Sequence, residues 1–235
     1  MDGAVNHSSN PKTYTAPSPK ITLEAPEKAK VYFVCWRVNN ATGTPVASIP
    51  AGSSGDLVFY AQWTTEEEYN IIAETNRVRT NPKAYAAELT AASSNIPSYC
   101  TPENYNAAIA TLNAASTLGS LKFERGLYFA ARDHAQDLIN TNTFAHESSD
   151  GTTFSKRIAR YGSSYNTAGE NIAAGTTQNT GAAMVKQWVL SSGHLANILN
   201  SNYTQIGAAH LSGHPTYGWV GAQEFARGFV SNPLP

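Results

Sequence analysis

Ala168-Gly169-Glu170-Asn171-Ile172-Ala173 is the stretch on which the reading of the fold turns. An acid and an amide stand side by side between a glycine and an apolar run, a combination that ordinary core packing does not require. Glycine lacks a Cβ and tolerates sharp backbone turns, so Gly169 is expected to aim Glu170 out of a tight turn. Two further stretches share the character: Phe144-Ala145-His146-Glu147-Ser148-Ser149-Asp150-Gly151 and Ser192-Gly193-His194-Leu195-Ala196-Asn197-Ile198-Leu199. In the second of these, Gly193 precedes His194 in the same way.

Outward from these stretches the hydrophobic spacing is mostly helical. Leu127, Ala130, Ala131, His134, Leu138 and Ile139 form one apolar face at i, i+3, i+4 and i+7. A short helix from Thr153 to Tyr161 buries Phe154 and Ile158, and Gly162 stops it. Ala182 to Val189 is amphipathic; after a break at Ser191-Ser192-Gly193 a turn of helix runs from His194 to Leu199. Upstream, Thr65 and Glu68 form a capping box before Ile71, Ile72, Thr75 and Val78. Asn81-Pro82 opens a second helix lined by Tyr85, Ala86 and Leu89. Residues 91–120 read as loop with one weak helix around Ala107 to Leu112. The tail forms two strands, Gln205 to Leu211 and Tyr217 to Ala226, joined by a turn at Ser212-Gly213-His214-Pro215. Helices followed by an antiparallel hairpin make an α+β fold rather than a doubly wound sheet.

Residues 1–19 are polar and rich in Ser, Asn and Pro, as in a disordered tail or linker. They lack the apolar core of a signal peptide, so a fragment whose export signal has been removed is expected. Residues 20–63 read as a small β module with two strands, in Val31-Tyr32-Phe33-Val34-Cys35-Trp36 and Leu57-Val58-Phe59-Tyr60-Ala61-Gln62-Trp63. These runs resemble the carboxy-terminal half of the Listeria–Bacteroides type repeat of bacterial surface proteins; that family's upstream strand and glycine-rich turn are not evident. The larger domain is placed at 64–235.

Only 14% of the 235 residues are charged and the formal net charge is −1. Nucleic acid is therefore excluded as a partner, since no basic stripe exists to meet phosphates. No apolar run reaches the length of a transmembrane segment. Two cysteines, Cys35 and Cys100, permit one disulfide but no cysteine-based zinc cluster; one in an apolar run and one in a polar loop, they read first as free thiols.

The ordered series Asn76 and Arg79, His146, Gly169-Glu170-Asn171-Ile172, Trp188 and Gly193-His194 resembles the bacterial branch of the CAP superfamily (cysteine-rich secretory protein, antigen 5, pathogenesis-related 1). Ile206-Gly207-Ala208-Ala209 and the closing Gln223-Glu224-Phe225-Ala226 continue the likeness, which covers about 66–230. The resemblance implies an extracellular or cell-surface α-β-α sandwich whose cleft holds two histidines and two acids. It assigns His146 and His194 as the histidines and Glu170 as the first acid. Ser191 stands where the second acid would fall, three residues after Trp188. Ser191, Asn171 and Asn197 would then support the cleft.

Two imidazoles and one carboxylate suffice to hold Zn²⁺ or another divalent cation with water as fourth ligand. On that basis His146, Glu170 and His194 are the candidate metal ligands, and the same three are the candidate catalytic groups. The residues also have plainer readings. Glu170 can pin a loop by accepting backbone N–H groups, and His134 reads as a packed core histidine. His210 is a strand residue, His214 a turn residue, and Asn171 and Asn197 brace backbone. The function expected is binding of a small ligand, a lipid or sterol, or a partner protein. The alternative is a metal-dependent hydrolase or peptidase, for which Glu147 and Glu224 are the only nearby bases by motif.

Overall fold

A computed structural model describes residues 3–234; Met1 and Asp2 of the expected tail and Pro235 of the expected large domain lie outside the described residues. The chain falls into two compact units, one running through Tyr69 and taking in the last residues from Asn232, the other Asn70–Ser231.

The first unit is built on short strands: β1 (Ile21–Thr22), β2 (Phe33–Val38), β3 (Pro45–Val46), β4 (Ser48–Ile49) and β5 (Phe59–Trp63). β2 lies between β3 and β5 in an antiparallel sheet, and β1 pairs with β4. β-branched and aromatic side chains explain the pairing, since they pack well on a pleated surface. The rings of Phe33, Trp36, Phe59 and Trp63 meet at 5.3–6.4 Å. Residues 3–19, read from their composition as disordered, are tied to this unit by backbone. Val5 and Glu27 exchange hydrogen bonds of 2.8 and 2.9 Å, and the Asn10 side chain both donates to and accepts from the Glu24 backbone. Such a segment needs no apolar core of its own when it borrows main-chain partners.

The helices are α1 (Glu66–Thr80), α2 (Pro82–Ala91), α3 (Pro102–Ala114), α4 (Arg125–Thr141), α5 (Phe154–Ala159), α6 (Gly181–Val189) and α7 (Ser192–Ile198). The capping box forms as expected: Thr65 N donates to Glu68 Oε2 at 2.8 Å and Glu68 N to Thr65 Oγ1 at 3.1 Å. α3 is twice the length its weak apolar pattern suggested. Thr101 caps it and Pro102 starts it, while Tyr105, Ala108 and Leu112 bury one face.

The remaining strands, β6 (Lys122–Phe123), β7 (Thr167–Ala174), β8 (Gln205–His214) and β9 (Gly218–Arg227), form one sheet in the order β6-β8-β9-β7. β7–β9 and β8–β9 are antiparallel and β6–β8 parallel. The hairpin turn falls later than expected, because β8 runs on to His214. The decisive difference is β7. The glycine before Glu170 marks a strand, not a turn, and Gly193 sits inside α7. A Cβ at Gly169 would collide with the Tyr203 ring hydroxyl, so close packing, not a bend, requires glycine here.

α4 lies across one face of this sheet, where Ala131, Ala135 and Leu138 pack on Ile172, Ala209, Val220 and Ala222. Small side chains let helix and sheet approach closely. A Cβ on Gly207 would strike the backbone of Leu127 and Tyr128. The opposite face meets α1 through Thr75 and Gln223, α6 through Met184 over Gly221, and α7 through Asn171 and Asn197. Helices on both sides of one sheet make the α-β-α sandwich that the sequence suggested within an α+β fold.

Candidate functional site

Side chains alternate between the two faces of a strand, so adjacent residues of β7 have opposite fates. Glu170 turns to the α4 face and Asn171 to the other. Glu224 of β9 pairs directly with Glu170, and Gln223 with Asn171. Two carboxyl groups thus stand side by side beneath α4 and α5, while two amides stand side by side beneath α1 and α7.

Glu170 is the hub of the charged face. Its Oε1 is 2.7 Å from His146 Nδ1, and its Oε2 accepts from Arg157 Nη2. His134 of α4 brings Nε2 to 3.8 Å from the same Oε2. Arg157 also donates to Ser148 Oγ at 3.0 Å and to the His146 carbonyl at 3.3 Å, and it stands 3.8 Å from Glu224 Oε1. Glu170, Arg157, Glu224 and His134 are buried, whereas the His146 side chain is 58% exposed. His146 engages Glu170 through Nδ1 while more than half of its side chain stays exposed.

The environment tunes these groups apart. Burial pushes the Glu170 carboxyl up, but the His146 hydrogen bond and the charges of His134 and Arg157 outweigh it and hold the carboxyl below its ordinary range. Glu224 goes the other way: full burial, then the neighbouring Glu170 charge, raise it well above the usual carboxylate range. The hydrogen bond to Glu170 raises His146. Burial lowers His194, and the His146 charge lowers it further; burial likewise lowers His134.

The amide face is neutral. Asn171 Nδ2 donates to the His194 carbonyl and to Gln223 Oε1, both at 3.1 Å, and Gln223 Nε2 donates to Thr75 Oγ1 at 2.6 Å. Asn197 Nδ2 donates to Asn171 Oδ1 at 2.8 Å and to the Glu170 carbonyl at 3.1 Å. Both asparagines brace backbone. Asn76 and Arg79 do the same, Asn76 clamping Leu121 and Arg79 reaching the carbonyls of Gly119, Ile198, Asn200 and Tyr203.

Of the three residues expected to meet, the structure joins His146 and Glu170 directly. The Nδ1 of His194 is buried with no hydrogen-bond partner, and the His146 charge bears on the ring. The backbone carbonyl of His194 is held by Asn171 of β7, the edge strand of the sheet. Ser191 occupies the N-cap position of α7 but makes no side-chain cap. Glu224, weighed as a base, is closed off from solvent. The sequence reading missed Arg157, and it took His134 for core packing alone. Both carried one signal, an ionisable side chain on an apolar stripe: Arg157 beside Phe154 and Ile158, His134 among Leu127, Ala131 and Leu138.

A divalent ion needs the two imidazoles and a free carboxylate oxygen directed at one point. Among the described residues, no three His, Cys, Asp or Glu side chains are so gathered. Both Glu170 oxygens are already engaged, one of them by a guanidinium whose fixed charge repels a cation. The donor set in this arrangement does not fit a metal. No disulfide joins Cys35 and Cys100, and the Cys35 thiol donates to Gln62 Oε1 at 3.3 Å.

The chain is 40% identical over 94 residues to the uncharacterized protein YkwD of Bacillus subtilis, and 32% identical over 90 residues to the uncharacterized membrane protein YlbC of the same species. These matches cover 40% and 38% of this chain but only 36% and 25% of the relatives, so the chain spans well under half of their length. Among solved structures, an extracellular protein containing a SCP domain from Bacillus anthracis gives a TM-score of 0.41 at 22% identity, over 73% of this chain and 46% of that one. An outer surface protein of Borrelia burgdorferi gives 0.42 at 21% identity, over 64% and 94%. The family described as CAP, cysteine-rich secretory protein family, matches residues 72–223, more than half of the chain, and the chain therefore belongs to the CAP family.

Proposed function

We propose that the second unit is a secreted or cell-surface binding module whose recognition group is His146. The observation that carries this is the pairing of His146 Nδ1 with a buried Glu170 at 2.7 Å while most of the ring stays exposed. The carboxylate fixes the ring's orientation and favours its protonated form, so Nε2–H is presented outward as a charged donor. Such a donor suits a ligand with a carboxylate, phosphate or carbonyl group. Phe144, two residues upstream, is 42% exposed and packs edge-on against Tyr217 at 5.7 Å. An aromatic surface beside a cationic donor favours an amphiphilic ligand, lipid-like or a peptide segment. An exported setting agrees with the secretory family description. No helix among the described residues is long and apolar enough to cross a membrane.

The test is a titration of dodecanoate followed by NMR of the histidine rings. His146 resonances are expected to shift, and the His146→Ala variant to lose retention of the fatty acid. Unmoved His146 signals at millimolar dodecanoate would remove the charged-donor reading. Cleavage of casein by the wild type but not by His146→Ala would replace binding with hydrolysis.

A further inference from the structure

We propose that the Arg157 guanidinium is the built-in cation of this centre, standing where a divalent metal would otherwise balance Glu170 and Glu224, and that it positions the loop bearing His146. This goes beyond the binding reading and does not depend on any ligand.

The strand register creates the need. Glu170 and Glu224 are directly opposed on neighbouring strands and share a face, so their carboxyl groups crowd one buried space. A positive partner must come from the elements packed above, and three supply candidates: His134 from α4, His146 from the loop and Arg157 from α5. Only Arg157 carries a charge that does not depend on pH. It is 1% exposed, and a charge so buried persists only when paired.

Its planar fork also does what a point charge cannot. One side of the guanidinium addresses Glu170 and approaches Glu224, while Nη1 reaches Ser148 Oγ and the His146 carbonyl. The same side chain therefore joins the acids of the sheet to the loop whose imidazole faces outward. An ion inserted at Glu170 would displace Arg157 and leave a guanidinium buried without a counter-charge. The site is thus closed to metals by its own arginine, and Arg157 acts on His146 as a positioning residue.

The experiment uses the full chain and measures Tm and His146 ring NMR with Zn²⁺ or EDTA. The wild type is expected to show the same Tm within about 1 °C and no His146-dependent shift. Arg157→Met should lower Tm by about 10 °C, as expected when a buried pair is broken. Zn²⁺ should then raise the Tm of that variant by several degrees, as an external cation replaces the internal one. Adding Glu224→Gln to Arg157→Met should recover part of the loss, whereas a purely packing role would leave the two effects additive. Arg157→Lys, which keeps the charge but not the fork, should retain more stability than Arg157→Met while broadening the His146 signal. Should Arg157→Met fail to fold, the wild-type titration and Arg157→Lys decide. A Zn²⁺-induced rise in wild-type Tm that His146→Ala abolishes would overturn the proposal. So would equal stability of the Met and Lys variants.

Discussion

The two faces of the β7–β9 pair use the same backbone for opposite purposes. On one, Glu170 and Glu224 sit with Arg157, His134 and His146, where every proton matters. On the other, one residue along, Asn171 and Gln223 join Thr75, Asn197 and the α7 backbone through amide hydrogen bonds that carry no net charge. A buried amide network holds elements together independently of pH. A buried charge cluster costs desolvation and is sensitive to every change in charge, which suits it to meeting a ligand. The difference marks the α4 face as the candidate site and the α7 face as a pH-independent brace behind it.

The sharpest way to break this contrast is Glu170→Ala. It strands the Arg157 charge and should cost about 3–5 kcal/mol, read by urea denaturation. Asn171→Ala, its neighbour on the scaffold face, should cost about 1–3 kcal/mol with the same value at pH 5 and pH 8. Equal pH dependence in the two variants would erase the distinction between the faces.

Glycines test the same contrast through packing. Gly207→Ala pushes a methyl into α4 backbone and should cost about 1–3 kcal/mol in thermal unfolding. Gly169→Ala meets the hydroxyl end of the Tyr203 side chain rather than backbone, so its cost should be the smaller of the two.

A finer test is the pH profile of stability. Glu224 binds its proton more tightly folded than unfolded, so the native state holds more protons above pH ~4.5 and stability falls as pH rises toward its raised folded pKa. The slope from this one group is at most about 1.4 kcal/mol per pH unit. Glu224→Gln should flatten it, and an unchanged slope would mean that Glu224 is already ionised. The smallest effect is spectroscopic. In NMR titrations His146 should lose its proton above pH ~6.5 and His194 below it, following the opposite directions of their shifts. A common midpoint would show that neither Glu170 nor burial distinguishes the rings.

Much of the fold was legible because its signals are local. The capping box at Thr65 and Glu68, the apolar stripe of α4 and the proline starting α2 each depend on residues within a turn or two. β7 was not legible. Thr167-Ala168-Gly169-Glu170-Asn171-Ile172 has little β-branched content, and two of its polar side chains are buried on opposite faces by partners far along the chain. The same limit applied to the site. Family likeness drew attention to His146, Glu170 and His194, but Arg157 and the places of His134 and Glu224 beside Glu170 entered only when the helices closed over the sheet.

The sequence by itself determined the helical stripes, the α+β class and the pairing of chemistry with the His146 and Glu170 segments, because periodicity and capping act over short spans. Tertiary structure alone decided which charge answers which. Strand register set Glu224 against Glu170, and α5 then delivered Arg157 to the pair. Electrostatic balance in a buried space depends on distances through space, and those exist only after the sheet has formed.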